Sequence, residues 1–214
     1  MRKNSVLFDF DGTLADSIPL IFKEINAHAA EYGFEPLSQD KFEALRSSTL
    51  PELVKQLNIS LFKLPFFIAT MRREIKKDID KMRPCNGINE LLSSLKKRGM
   101  RMGIVSSSPR ENIKTFLDRH QLHVFEFIHS ELNVFGKSAA IEGVMREHNM
   151  KTDDTVYVGD EIRDVEACKA IGLDIISVTW GFNDEAGLRA HGAKCIARKP
   201  EDILSFVGNF ERVR

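Results

Sequence analysis

Short apolar segments alternate with amphipathic segments over most of the chain after residue 83, and this alternation most strongly constrains the fold. The segments with strand character are residues 100–105, 125–130, 155–160, 174–180 and 193–197. The segments between them, such as residues 87–99, repeat apolar residues at helical spacing. Strands and helices that alternate at these lengths predict an α/β fold, with a parallel sheet, right-handed crossovers and helices on both faces.

A further strand is predicted at residues 4–8, and about 65 residues without strand character follow it. This stretch contains periodic segments near residues 18–32, 38–46, 50–57 and 63–80. Pro51 suits the first turn of the third of these helices. We therefore expect a helical domain, residues 17–82, inserted into an α/β core formed by residues 1–16 and 83–214.

Composition excludes several classes of function. The 214 residues include 31 Lys and Arg and 31 Asp and Glu, so no excess of positive charge favours nucleic acid or an anionic membrane. No apolar run approaches the roughly 18 residues that a membrane span needs, and the N-terminus does not resemble a signal peptide. The three cysteines are widely spaced, which favours reduced thiols in a cytoplasmic protein.

Polar residues follow the predicted strands at the points where the strands end. They are Asp9 and Asp11, then Ser106 and Ser107, Lys137 after the Phe135–Gly136 turn, and Asp160 followed by Asp164. The carboxyl ends of parallel strands meet at one edge of a sheet, where ligands collect. Converging carboxylates repel one another unless a cation lies between them, and oxygen ligands suit Mg²⁺.

Each of these residues also has a simpler interpretation when it is taken alone. Asp160 or Ser106 could cap a helix, and Lys137 could be a solvated surface charge. Their coincidence at the ends of different strands of one predicted sheet favours a shared site over separate local roles.

Four motifs occur in the order found in one known family. "DFDGTLADS" resembles the first motif of the haloacid dehalogenase superfamily of phosphatases, and "GIVSSSP", "GKSAAI" and "YVGDEIRDVEACKAIG" resemble the motifs that follow it. "RPCNGINELLSSLKKRGMRMGIVSSS" is similar to phosphoglycolate-phosphatase-like members. The resemblance covers nearly the whole chain. It implies a Rossmann-like core with an inserted helical cap domain.

The resemblance also implies catalytic roles. Asp9 would be the nucleophile that forms an aspartyl-phosphate, and Asp11 would be the general acid and then the base. Residues two apart on a strand project to the same side, which agrees with the spacing of these aspartates. Ser106 would donate a hydrogen bond to the phosphoryl group, and Lys137 would offset its charge.

The remaining site residues implied by the resemblance hold phosphate and metal. Gly12 would allow a tight turn whose amides, including that of Thr13, face phosphate oxygens, and Ser107 would lie beside them. Mg²⁺ would be held by Asp9, the Asp11 main-chain carbonyl and Asp160. Asp164 would reach the metal or its waters, or pair with Lys137.

The predicted activity is Mg²⁺-dependent hydrolysis of a small phosphorylated metabolite by a monomer or homodimer. The resemblance favours 2-phosphoglycolate, with Arg46 as the contact to its carboxylate. A dehalogenase is disfavoured, because halide leaves without the proton that Asp11 would supply. A phosphosugar mutase of the β-phosphoglucomutase type and a non-catalytic binding protein remain as alternatives.

Overall fold

A computed structural model of the chain describes residues 3–133 and 136–208. Six parallel strands form one sheet in the order β3-β2-β1-β4-β5-β6. The strands are β1 (Ser5–Phe8), β2 (Arg101–Ser106), β3 (Phe127–Ser130), β4 (Thr155–Gly159), β5 (Asp174–Val178) and β6 (Cys195–Ala197). The predicted α/β fold with a Rossmann-like parallel sheet is confirmed.

The helices of the core follow the strands along the chain. They are α6 (Ile88–Lys97), α7 (Arg110–Arg119), α8 (Lys137–Glu147), α9 (Ile162–Ala170), α10 (Glu185–Ala190) and α11 (Pro200–Gly208). Helices α10 and α11 were not predicted from the sequence. Helix α10 has only six residues, too few for a helical period to stand out. Asp184 caps this helix by accepting a hydrogen bond from the Gly187 amide at 2.7 Å.

The sheet is covered on both faces because successive side chains of a strand point in opposite directions. In β1, Val6 and Phe8 belong to one buried cluster with residues of α6, α7 and α11. Leu7 belongs to a second cluster with residues of α8 and α9. β1 lies between β2 and β4, so its carboxyl end, which leads to Asp9, is at the middle of the sheet.

The cap consists of helices inserted between β1 and β2. They are α1 (Ile18–Ala27), α2 (Ala29–Tyr32), α3 (Gln39–Leu45), α4 (Leu50–Gln56) and α5 (Leu64–Lys77), and a 3₁₀ turn follows at Ile79–Lys81. Pro51 lies in the first turn of α4, as predicted, and Thr49 and Glu52 form a capping box there. The cap has an apolar core of its own. The exact boundaries between cap and core stay a prediction.

Some predicted strands are longer than the strands of the structure. The segment 125–130 is a strand only from Phe127, and the segment 174–180 ends as a strand at Val178. Beyond Thr179, whose amide still donates to the Ala197 carbonyl, the chain turns toward Asp160: the Phe182 amide donates to the Asp160 carboxylate and the Asn183 amide to the Asp160 carbonyl. None of the helices that the structure describes is long and apolar enough to cross a membrane.

Candidate active site

Asp9 is the first residue after β1, and the residue is 1% exposed. The Asp9 amide continues the pairing with β4 by donating to the Val158 carbonyl at 2.9 Å. Its Oδ1 accepts the Phe10 amide at 2.7 Å, and its Oδ2 accepts the Lys137 ammonium at 2.5 Å. The carboxylate is therefore fixed at the central strand end by one backbone donor and one cation.

Lys137 is the first residue of α8 and is itself buried. Its Nζ lies 2.5 Å from Asp9 Oδ2 and 2.6 Å from Asp164 Oδ1, so that one ammonium bridges two carboxylates. Burial lowers the pKa of Lys137, but the charges of Asp164 and Asp9 outweigh burial and raise it above its ordinary value. Lys137 is therefore charged when both carboxylates are.

The pKa values of the two carboxylates that contact Lys137 are shifted in opposite directions. Burial raises the pKa of Asp9, but Lys137, Arg163 and the Phe10 amide outweigh burial and bring that pKa below its ordinary value. Burial raises the pKa of Asp164 to about 6, although Lys137 acts in the opposite direction. Asp9 is thus ionised at neutral pH, which a carboxylate nucleophile requires.

Asp160 follows β4, and the protein holds both of its carboxylate oxygens. Oδ1 accepts the Thr13 hydroxyl at 2.6 Å, and Oδ2 accepts the Phe182 amide at 2.7 Å. Gly12, with φ of +69°, packs so closely against Asp160 that a Cβ at residue 12 would overlap its carboxylate. The glycine is therefore needed both for its backbone conformation and for the approach of the two loops.

A cluster of three carboxylates has the composition of a site for a divalent cation. Oxygens of Asp9, Asp160 and Asp164 lie within 4.8 Å of one another, and all three residues are buried. Burial first, and then Glu161, Asp9 and Asp164, raise the pKa of Asp160 well above its ordinary value. A cation would relieve this repulsion, and an all-oxygen donor set fits a hard ion such as Mg²⁺.

Asp11 lies beyond Asp9 and is half-buried. Its Oδ2 accepts a short hydrogen bond from the Ser108 hydroxyl. Burial and the negative charge of Asp9 raise the pKa of Asp11 to about 6, although the Ser108 hydrogen bond acts to lower it. Asp9 and Asp11 therefore have pKa values shifted in opposite directions, the pattern expected when two carboxyl groups serve as nucleophile and acid.

The end of β2 presents Ser106 and Ser107 to the same region. Ser106 is buried, and its Oγ accepts the Ser108 amide at 3.2 Å, which leaves its hydroxyl proton available for donation. The Ser107 Oγ instead accepts the Arg163 guanidinium at 3.1 Å. Ser107 thus contacts an arginine that itself lies close enough to lower the pKa of Asp9.

The structure corrects the expectation for the turn amides. The Gly12 amide donates to the Ala15 carbonyl at 2.9 Å and to the Ser17 hydroxyl at 3.1 Å, and the Thr13 amide donates to the Phe10 carbonyl at 3.3 Å. These amides close the turn and are not directed at a phosphate, because the tight turn that Gly12 permits satisfies its own donors. The Thr13 side chain orients Asp160 instead.

The structure also corrects the expectation for Arg46. Its guanidinium donates to the carbonyls of Phe182, Gly181 and Thr179 at 2.9, 2.9 and 3.3 Å, and to Glu43 at 2.9 Å. A guanidinium that holds three carbonyls and a carboxylate is not directed at a substrate. Arg46 joins the cap to the loop that wraps Asp160.

A cavity of about 280 Å³ lies between the cap and the core. Asp11 and Asp160 form part of its core end, with Glu161, Arg163, Glu166 and Phe182 nearby. The cap wall is apolar and comes from α1, α4 and α5, with Ile18, Ile21, Ile25, Leu50, Pro51, Leu53, Phe67 and Met71. The volume is near the lower end of the range for small-ligand sites.

A family model described as "Haloacid dehalogenase-like hydrolase" matches residues 6–178, from the second residue of β1 to the end of β5, a range that contains all the carboxylates of the site. The chain belongs to the haloacid dehalogenase-like hydrolases. The resemblance found in the sequence motifs is thereby confirmed.

Relatives within this family are similar over nearly the whole chain. A phosphoglycolate phosphatase of Synechococcus elongatus is 32% identical over 97% of this chain and 99% of its own length. A phosphorylated carbohydrates phosphatase of Thermotoga maritima is 27% identical over 94% and 96%. The crystal structure of a predicted phosphatase from Clostridium acetobutylicum has a TM-score of 0.80 and 27% identity over 96% and 100%. The chain is a phosphoglycolate-phosphatase-like member of the haloacid dehalogenase-like hydrolases.

Three residues near the site of this hydrolase were missed in the sequence analysis. Ser108 contacts Asp11, and Arg163 binds Ser107 and is held by Glu161 at 2.6 and 2.8 Å. Arg72 of the cap helix α5 donates to the Ser107 carbonyl at 3.2 Å. Ser108 adjoins two predicted residues in the chain and could have been found, whereas nothing local distinguishes the two arginines from surface charges.

Proposed function

We propose that the protein is a Mg²⁺-dependent phosphatase that hydrolyses a small phosphomonoester through an aspartyl-phosphate on Asp9. The observation that carries the proposal is a pair of neighbouring carboxyl groups, Asp9 and Asp11, whose pKa values are shifted in opposite directions. The Lys137 ammonium lies 2.5 Å from Asp9 Oδ2 and lowers the pKa of Asp9. Burial and the charge of Asp9 raise the pKa of Asp11 to about 6. Such a pair suits nucleophilic attack combined with proton transfer.

In the first step, an Asp9 carboxylate oxygen attacks phosphorus, and the bond from phosphorus to the alcohol oxygen breaks. Protonated Asp11 gives its proton to the departing alcohol, which leaves Asp11 as a carboxylate. The Ser108 hydroxyl, which hydrogen-bonds Asp11, orients that carboxyl group. Lys137 and the Ser106 hydroxyl offset the charge that builds on the phosphoryl oxygens.

In the second step, the Asp11 carboxylate removes a proton from a water molecule that attacks the phosphorus of the aspartyl-phosphate. The bond between phosphorus and the Asp9 oxygen breaks, inorganic phosphate leaves, and Asp9 is again a carboxylate. Asp11 ends protonated and ready for another cycle. Asp11 thus serves as acid in the first step and as base in the second, and a pKa of about 6 suits both roles.

The residues that would hold the cation are Asp9 and Asp160, with Asp164 and the Asp11 main-chain carbonyl as further candidates. Bound there, Mg²⁺ would neutralise charge on the phosphate and orient it. Asp164 also pairs with Lys137, one of the two arrangements that the sequence had left open. The Thr13 hydroxyl and Phe182 amide keep Asp160 in place for this role.

The relatives agree on the reaction, which is phosphate hydrolysis, but differ in the substrate. Their names include phosphoglycolate and phosphorylated carbohydrates, so relatives of similar length act on different esters. The sequence resemblance favours 2-phosphoglycolate with Arg46 as the contact to its carboxylate. The Arg46 guanidinium instead donates to the carbonyls of Thr179, Gly181 and Phe182, so it does not support that substrate. A small phosphomonoester is therefore the substrate class that we propose.

The test is phosphate release from a panel of small phosphomonoesters, including p-nitrophenyl phosphate and 2-phosphoglycolate, with and without Mg²⁺. We expect Mg²⁺-dependent turnover and a phosphoryl adduct on Asp9 detectable by mass spectrometry after acid quenching. A mutase would instead convert a sugar phosphate into its isomer without free phosphate. A non-catalytic protein would release no phosphate from any ester of the panel.

A further inference from the structure

The cavity under the cap has a wall that the proposed chemistry does not use. It begins at Asp11 and Asp160 and continues away from the carboxylates into the cap. If Asp11 protonates the leaving oxygen, the alcohol portion of the substrate extends from Asp11 into this space. The lining of the cavity therefore indicates what the alcohol carries.

The cap wall is apolar and only partly covered by protein. Ile18, Ile21 and Leu50 are half-buried side chains that border the cavity, and Leu53, Phe67 and Met71 form the deeper part. Apolar side chains that line a cavity remain in contact with water, and an apolar ligand that covers them gains binding free energy by removing this surface from water. A polyhydroxylated or charged group would instead lose its hydration there.

The polar side chains at the rim are already engaged with one another. Asn183 donates to the carbonyls of Arg46 and Ser48 at 2.6 and 3.0 Å and accepts the Ile162 amide at 2.8 Å. Thr49 is committed to its capping box with Glu52. Asn183 and Thr49 therefore have few hydrogen bonds left to offer to the hydroxyl groups of a sugar.

The charges at the core end disfavour a second anionic group. Among the described residues that line the cavity, Arg163 is the one cationic side chain, and Glu161 binds it at 2.6 and 2.8 Å. Asp11, Asp160 and Glu166 also border the cavity. A carboxylate or second phosphate on the alcohol would therefore find no cationic side chain without a carboxylate partner among the described residues that line the cavity.

We propose that the leaving alcohol of the substrate carries an uncharged, mainly apolar group that binds in this cavity. The inference rests on the proposed phosphatase function and narrows its substrate class. A cavity of about 280 Å³ has the size of a site for a small ligand. An alkyl or aryl phosphate of that size fits, with its phosphate at Asp9.

A series of unbranched alkyl phosphates from ethyl to hexyl tests the proposal, because the leaving groups share nearly the same chemistry. We expect kcat/KM to rise about twofold to fourfold for each added methylene, the upper value being full transfer from water. We also expect hexyl phosphate to exceed 2-phosphoglycolate. A flat or falling series, or a preference for 2-phosphoglycolate, would overturn the proposal.

Leu50→Thr places a hydroxyl in the cavity wall, and Leu61→Thr makes the same change at an exposed cap residue outside it. The ratio of kcat/KM for hexyl over ethyl phosphate is expected to fall at least threefold in Leu50→Thr and to stay unchanged in Leu61→Thr. A chain-length preference that Leu50→Thr leaves intact would place the alkyl group elsewhere and refute the assignment to this cavity.

Calorimetric binding of ethyl- and hexylphosphonate to the wild-type protein separates this inference from the proposed function. Tighter binding of hexylphosphonate, weakened in Leu50→Thr, supports the cavity whether or not turnover is seen. Equal affinity for the two phosphonates overturns it. Absence of phosphate release from every ester, including p-nitrophenyl phosphate, is the separate result that overturns the phosphatase itself.

Discussion

The ammonium of Lys137 lies 2.5 Å from Oδ2 of Asp9, with both side chains buried at the centre of the sheet edge. The two residues are 128 positions apart, Asp9 directly after β1 and Lys137 at the start of α8. Because the same ammonium also contacts Asp164, it balances the charge of a buried carboxylate pair. Lys137 therefore stabilises this region and, together with Arg163 and the Phe10 amide, keeps Asp9 ionised.

Lys137→Met should destabilise the fold and reduce turnover. Removing one partner of a buried ion pair typically costs about 3–5 kcal/mol, because the remaining charge is left buried without compensation. The free energy of unfolding in urea measures this loss. Lys169→Met, at an exposed residue of α9, is the control and should change stability little. Equal stability of the two variants would contradict the role given to the Lys137 pair.

Asp9→Asn should lower kcat by about a thousandfold or more while the protein stays folded. The change removes the nucleophilic oxygen but keeps the size of the side chain. Steady-state kinetics with p-nitrophenyl phosphate measures the loss, and circular dichroism checks the fold. Asp16→Asn, at an exposed position of the same loop, should keep wild-type activity. Turnover of Asp9→Asn within tenfold of wild type would rule out the aspartyl-phosphate.

Asp11→Asn should impair alkyl esters more than aryl esters. General acid–base catalysis typically contributes about 10²–10⁴-fold, and a good leaving group needs little protonation. We expect a loss in this range for ethyl phosphate and a smaller loss for p-nitrophenyl phosphate, measured as kcat/KM. The same factor for both esters would argue against Asp11 as the acid.

Chelation with EDTA should abolish turnover reversibly, and added Mg²⁺ should restore it. Asp160→Asn should raise the Mg²⁺ concentration needed for half-maximal activity by at least tenfold, because it removes one charge from the buried carboxylate cluster. Calorimetric titration of Mg²⁺ into both proteins measures the same change without turnover. Full activity in excess chelator would contradict the metal site.

Arg46→Ala should lower kcat/KM by a similar factor for every substrate. Its guanidinium holds three carbonyls of the 179–182 loop, and hydrogen bonds from a charged group contribute about 1.5–3 kcal/mol. Weaker attachment of cap to core should therefore cost about tenfold or more. Arg73→Ala, at an exposed cap arginine, is the control. A loss confined to 2-phosphoglycolate would restore Arg46 as a carboxylate contact.

The placement of the carboxylates could be predicted from sequence because it depends on local patterns. The strand Ser5–Phe8 is short and buried, with three apolar residues at 6–8, as suits a central parallel strand, and Asp9 comes directly after it. Gly159 and Asp160 follow β4 in the same way. Since parallel strands end at the same edge, the sequence predicted that Asp9 and Asp160 lie at one edge, and the structure adds that β1 and β4 are neighbours there.

The arginines could not be placed in this way. Arg46, Arg72 and Arg163 have long side chains that reach several possible partners, and each partner lies in a distant part of the chain. Arg46 was assigned to the substrate because it lies between cap helices, but the 179–182 loop has three carbonyls within its reach. Which partner an arginine takes depends on how the cap rests on the core.

The sequence by itself determined the parallel sheet, the helical cap and the carboxylates at the strand ends. Local hydrophobic patterns define the strands and helices, and because the strands are parallel, the residues that follow them lie at one edge of the sheet. Only the tertiary structure decided that Ser108 contacts Asp11, that Arg46 holds a loop, and that the cavity beyond Asp11 has an apolar wall. These features arise where cap and core meet, and contacts between distant segments depend on packing that no local pattern contains.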